Sequence, residues 1–258
     1  QDSCRLRYEN IKKYLISIFF CFFLSYFSLA QVSIPTFQGS HYNKINIIED
    51  NLILHLDASN SNSFNPNTLD EWNDLSSSNN DLVLVVGSVS YSNNDGGSVV
   101  FNDDAFRKAT FSNFSGNAFT ISMWINTTQA SGRLISVARS PGSYAKQMVM
   151  WLTGNKFGVY GGSESSTNVN DGNWKFITLV REAGTYKYYI NNSLDVTRSG
   201  QDSQTFNKND LVIGWDYRNN SSSSGYVGNI GAVYVYNTVL TSLQVQNNYN
   251  NTKSRYGL

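Results

Sequence analysis

Four carboxylates crowd one tryptophan in "LDEWNDLSSSNND": Asp70, Glu71, Asp74 and Asp81 stand around Trp72. Acids beside an aromatic ring suit sugar cleavage, with one acid protonating the leaving group and another acting as base or nucleophile. Spacing tests that idea. In a strand, residues two apart share a face and lie ~6.6 Å apart, and residues four apart lie ~13 Å apart. Retaining glycosidases need carboxyls roughly 5–5.5 Å apart, and inverting ones roughly 6.5–9.5 Å. Asp70 and Asp74 share a face at too great a separation, Trp72 sits between them, and Glu71 points the other way. The stretch therefore reads as a strand in which Trp72 packs. Asp74 and the Ser/Asn run after it make the turn through side-chain-to-backbone hydrogen bonds. With no acid pair left, the expectation is a protein that is not an enzyme.

Other reactive residues add little. Asp103 and Asp104 in "FNDDAF" could hold Ca²⁺ together with backbone carbonyls, but no loop signature accompanies them, and a solvated turn is expected. Calcium is the one cofactor left open, with its ligands unknown. The two histidines, His41 and His55, form no His-Glu-x-x-His pattern, which removes a zinc protease. "GGSES" at Gly161–Ser165 lacks the closing glycine of a nucleophile elbow.

The aromatics are more suggestive. Trp151, Tyr160, Trp215, Tyr217 and Tyr226 lie in or beside turns rich in Asn, Ser and Gly. Flat rings stack on the apolar faces of sugars while amides and hydroxyls bind sugar hydroxyls. "GWDYRNNSSSSGY" combines both kinds and adds Asp216 and Arg218. Trp215, Tyr217, Arg218, Trp151 and Tyr160 are the candidate ligand-binding residues. The competing reading is that Trp215 and Tyr226 are ordinary core or edge packing.

The 258 residues carry a formal net charge of +0, so nothing provides for neutralising phosphates, and nucleic acid is not an expected partner. The N-terminus reads as a targeting segment: Lys12 and Lys13, an apolar run from Tyr14 to Phe27, then Ser28-Leu29-Ala30. The run is short for a membrane span, which needs roughly 20 apolar residues. Cleavage after Ala30 is expected, leaving no membrane span and a secreted or cell-surface protein. Residues 1–10 are expected to be upstream translation, or Ile11 to come from an alternative start codon. Both cysteines, Cys4 and Cys21, fall in this leader, so the mature chain must hold itself by its core. Residues 31–46 read as a linker, and 47–258 as one domain.

Within that domain, strand-like runs alternate with Gly, Asn, Ser and Asp clusters. "AFTISMWINTT" puts Phe119, Ile121, Met123 and Ile125 on one face and Thr120, Ser122, Trp124 and Asn126 on the other. "WKFITLVRE" and "TYKYYINNS" flank an Ala-Gly hairpin signal. "LVLVV" is too apolar for a half-exposed strand and is expected centrally or under a loop. Only "TSLQVQNNYNNTKSRY" looks helical. Ten or more strands with almost no helix predict an all-β, two-sheet antiparallel sandwich.

The order of segments resembles the laminin G-like domains of the concanavalin A-like lectin/glucanase type. The resemblance rests on Leu56-Asp57-Ala58, Trp72-Asn73-Asp74-Leu75-Ser76, "GGSVVFNDDAF", "FTISMWI", "DGNWKFITLVREAGTYKYYINNS" and the closing "YVGNIGAVYVYNTVLTSLQVQNNYNNTKSRYGL". It covers about Asn51 to Leu258 and implies a jelly-roll sandwich with a short C-terminal helix. The family's glucanase run of Glu-x-Asp-x-x-Glu or Glu-x-Asp-x-Glu is missing. Family members often bind Ca²⁺, for which only Asp57, Asp103 and Asp104 suggest themselves. The expected function is an exported, non-catalytic module recognising carbohydrate on a cell surface or matrix. The alternatives are a structural or adhesive surface protein that binds protein partners and, further off, a glycoside hydrolase; the expected partner is a glycan or a surface protein.

Overall fold

The structure is a computed structural model, and it describes residues 46–114, 116–138, 147–159, 162–201, 206, 209–216 and 225–258. The expected leader and all of the linker but Asn46 lie outside the described residues. The described residues fold as expected, into two antiparallel sheets and one C-terminal helix.

The first sheet runs β13 (Ser193–Arg198), β12 (Thr185–Ile190), β11 (Lys175–Glu182), β7 (Ala118–Asn126), β15 (Val227–Tyr236), β5 (Ser98–Asn102) and β4 (Ser90–Ser92). β1 (Leu52–Asp57) also pairs with β15, beyond the end of β5. The second sheet runs β10 (Lys156–Val159), β9 (Met148–Thr153), β8 (Gly132–Ala138), β14 (Asp210–Ile213), β6 (Ala105–Lys108), β3 (Leu82–Val86) and β2 (Glu71–Trp72).

The alternation of β7 sorts its side chains as the sequence predicts. Phe119, Ile121, Met123 and Ile125 enter the core between the sheets, with Met148, Met150 and Leu152 of β9 facing them. Trp124 points the opposite way, into a second apolar cluster under the helix. That cluster exists because both faces of the first sheet are apolar and the outer one needs a cover. The cover is α1 (Ser242–Thr252), which continues into a 3₁₀ turn, Lys253–Tyr256. Thr241 and Gln244 start the helix with a reciprocal capping box. The Trp124 ring stacks on Tyr256 at 4.1 Å and donates its indole N–H to Thr252 at 2.9 Å.

The turns also follow the sequence. Ala183 and Gly184 form the two-residue loop between β11 and β12, both at positive φ (36° and 88°) as a right-twisted hairpin demands. The expectation for "LVLVV" needs correction. Val83 and Val85 of β3 are 49% and 41% exposed, because they alternate with the inward Leu82 and Leu84 onto an outer face that nothing described covers there.

The last turn is anchored to the first strand. Arg255 makes a bidentate pair with the buried Asp57, with nitrogen–oxygen distances of 2.8 and 2.6 Å. Burial alone would raise the Asp57 pKa; the bonds and charge of Arg255 outweigh it and hold the carboxyl below 3.8. Nearby His55 packs on the Tyr234 ring, and burial lowers its pKa below 6.5 against the pull of Asp57 and Asp74.

Two predictions follow from this anchor. Arg255→Ala strands a buried carboxylate, so urea unfolding should show a loss of about 3 kcal/mol. Both depressed pKa values make the unfolded chain the better proton acceptor, so stability is lost as the pH is lowered. Stability should be complete above pH 6.5, decline below it through His55, and decline again below pH 3.8 through Asp57. Melting curves of His55→Gln should lack the first decline and keep the second.

Candidate functional site

Trp72 is fully buried, edge-on to Phe64 and Phe106 at 5.7 and 5.6 Å. Asp74 is a turn residue. One of its oxygens accepts from the backbone N–H groups of His55 and Ser76, at 2.8 and 2.9 Å. The other accepts from the Ser76 hydroxyl and the Asn80 N–H, at 2.7 and 2.9 Å. Asp81 in turn accepts from the Asp74 N–H. Asp74 and Asp81 are therefore spent on local architecture, while Asp70 and Glu71 stand exposed.

The acids considered for calcium are also committed, each separately. Asp57 is held by Arg255, Asp103 accepts from the Gly225 N–H, and Asp104 accepts from the N–H groups of Ser88 and Asn102. Among the described residues no three His, Cys, Asp or Glu side chains come together as a metal site. The three carboxylates therefore do not gather into one site among the described residues.

The candidate aromatics separate sharply. Tyr226 is fully buried, its hydroxyl donating to the carbonyls of Asn126 and Asn229. Trp215 is 9% exposed and packs over Ala105 and Val212, on the side of the second sheet away from the core. Both rings are packing, as the competing reading had it: Tyr226 belongs to the core between the sheets, and Trp215, a candidate ligand-binding residue, is covered by apolar neighbours on the outer face. Tyr160, Tyr217 and Arg218 lie outside the described residues.

Trp151 is different. It alternates with the inward Met150 and Leu152 of β9, so it faces outward, half-buried. Its neighbours across the sheet are Gly158 on β10 and Arg133 on β8. The Arg133 guanidinium carbon lies 4.5 Å from the ring centroid, and its Nε lies 3.5 Å from the Asp216 carboxylate.

Gly158 shapes what lies beyond. Residues 162–165 run beside β10 so closely that a Cβ at Gly158 would sit 2.6 Å from the Ser163 carbonyl oxygen. Val159 N–H donates to that oxygen at 3.0 Å, and Ser165 N–H donates to Phe157 at 2.8 Å. The segment is also tied to the first sheet. Tyr188 of β12 donates its hydroxyl to the Ser163 carbonyl at 2.6 Å, and Asp195 of β13 accepts from the Thr167 hydroxyl at 2.6 Å.

The result is an open cleft of about 500 Å³ where the edge strand of one sheet meets the edge strand of the other. Trp151, Thr153 and Val159 form one wall; Gly162, Ser163 and Glu164 form another. Arg198 of β13 and Gln201 complete it. It thus combines an aromatic ring with hydroxyl, amide and guanidinium groups, and Glu164 is its one carboxylate among the described residues. Sequence reading found Trp151 but missed Arg133, Thr153, Ser163, Glu164, Arg198 and Gln201. A glycine inside a strand pattern, Gly158, marks such a close backbone approach and was the available signal.

The chain matches the laminin G-type model of the concanavalin A-like lectin/glucanases superfamily over residues 93–246, more than half its length. It belongs to that superfamily. No curated protein matches its sequence. Similar solved structures share the fold at low identity. Domain 4 of AbnA, an extracellular arabinanase from Geobacillus stearothermophilus solved with arabinotriose, has a TM-score of 0.57 at 17% identity, covering 78% of this chain and all of that one. A structure of botulinum neurotoxin type C, whose cell entry depends on interaction with two ganglioside molecules, has a TM-score of 0.55 at 18% identity over 79% of this chain. This chain spans 51% of that one. A mutant Trypanosoma rangeli sialidase displaying trans-sialidase activity has a TM-score of 0.57 at 13% identity over 81% of this chain and 34% of its own. Among the described residues, no helix is long and apolar enough to cross a membrane.

Asp74→Ala should lower stability by about 2–4 kcal/mol in urea unfolding, since it strands several buried N–H groups at once. Asp74→Asn, which keeps the shape and half the acceptors, should lose less.

Proposed function

We propose that the protein is an exported, non-catalytic binding module that takes carbohydrate into the Trp151 cleft, on a cell surface or matrix. The observation that carries this reading is a half-exposed tryptophan ring flanked by hydroxyl, amide and guanidinium groups in one open cleft. Aromatic faces hold sugar CH groups and the polar rim holds hydroxyls. The single described carboxylate of the cleft, Glu164, supports binding over cleavage, because glycoside hydrolysis by the usual route takes two. AbnA domain 4, seen with arabinotriose, supports the same reading by analogy of fold. Secretion rests on the leader-like N-terminus.

Adhesion to a protein partner is a second reading, favoured by the exposed Val83 and Val85. These lie on the same face as the ion pair of Arg107 with Asp210.

A glycan array with the purified chain tests the first reading. Binding is expected, with and without added calcium, and Trp151→Ala should weaken it by about tenfold or more while leaving the melting temperature nearly unchanged. An array without any bound glycan rejects the reading.

A further inference from the structure

Arg198 stands apart from the other arginines near the cleft. Arg133 is stacked on Trp151 and paired with Asp216, and both are largely buried. Arg198 donates only its Nε, to the Glu164 carbonyl at 3.4 Å, and no described group takes its two terminal nitrogens. One bond thus orients the guanidinium while the fork that carboxylates prefer is left open in the cleft.

The charges around it do not cancel that fork. Glu164 has its side chain 44% exposed and lies 3.9 Å from Lys156, so its charge is shared at the rim. Asp195 on the same strand is occupied by Thr167. Arg133 stacks on the Trp151 ring and shares its charge with Asp216.

The geometry points to an acidic sugar as the occupant of the cleft, its carboxylate received by the terminal nitrogens of Arg198 while its ring lies along Trp151. This rests on the carbohydrate reading above and narrows it to uronate- or sialate-bearing glycans.

The test is calorimetric titration of the purified chain with trigalacturonate and with sialyllactose, each beside its own methyl ester. The two acids distinguish the two sources of the carboxylate. At least one acid should bind about tenfold or more tightly than its ester, the difference expected for one charge-assisted fork. Arg198→Gln should abolish that preference, Arg198→Lys should keep part of it, and both should melt like the parent. Ester and acid binding equally, or the preference surviving Arg198→Gln, overturns the assignment. If neutral glycans bind through Trp151 without preference for acid, the carbohydrate reading stands and this one falls. If no sugar binds at all, both fall.

Discussion

A sheet that is apolar on both faces cannot be left with one of them in water, and the architecture of this domain follows from meeting that demand. The inner face of the first sheet is met by the second sheet. The outer face is met by α1 and the turn after it, through Trp124, Tyr249 and Tyr256. Because the cover comes from the end of the chain, it has to be held down, and the Arg255–Asp57 pair does so. Asp57 closes the first strand and Arg255 nearly closes the chain, so one ion pair joins the two ends of the fold. Deep burial makes such a pair costly to break even where its net worth is modest.

The two sheets thereby divide the labour. The first is covered on both sides and is the structural one. The second keeps part of its outer face accessible, from the valines of β3 at one end to Trp151 at the other. The cleft forms where edges β10 and β13 come near each other and residues 162–167 are hydrogen-bonded to both sheets. Its walls are set by backbone and by tyrosine and aspartate bonds rather than by a free loop, a source of preorganisation that reduces the ordering cost of binding.

Much of this was legible in the sequence, for local reasons. The alternation in β7, the Ala-Gly turn, the role of Asp74 and the closing helix all depend on residues within a few positions of one another. What was not legible depends on distant neighbours. Nothing in "LVLVV" says that the outer face of its sheet is left uncovered at that point. Trp215 and Trp151 look alike beside their turns, yet Val212 and Ala105 sit beneath the one and Gly158 opposite the other. The cleft draws Thr153, Glu164 and Arg198 from three separate segments, and no spacing rule joins them.

The near end of the domain lies beside its C-terminal helix: Asn251 donates its side-chain amide to the Asn46 carbonyl, and Asn248 accepts from the Ile48 N–H. Both ends thus meet on the outer side of the first sheet, while Trp151 looks outward from the second. Tethered by either end, the domain would present its cleft away from the point of attachment.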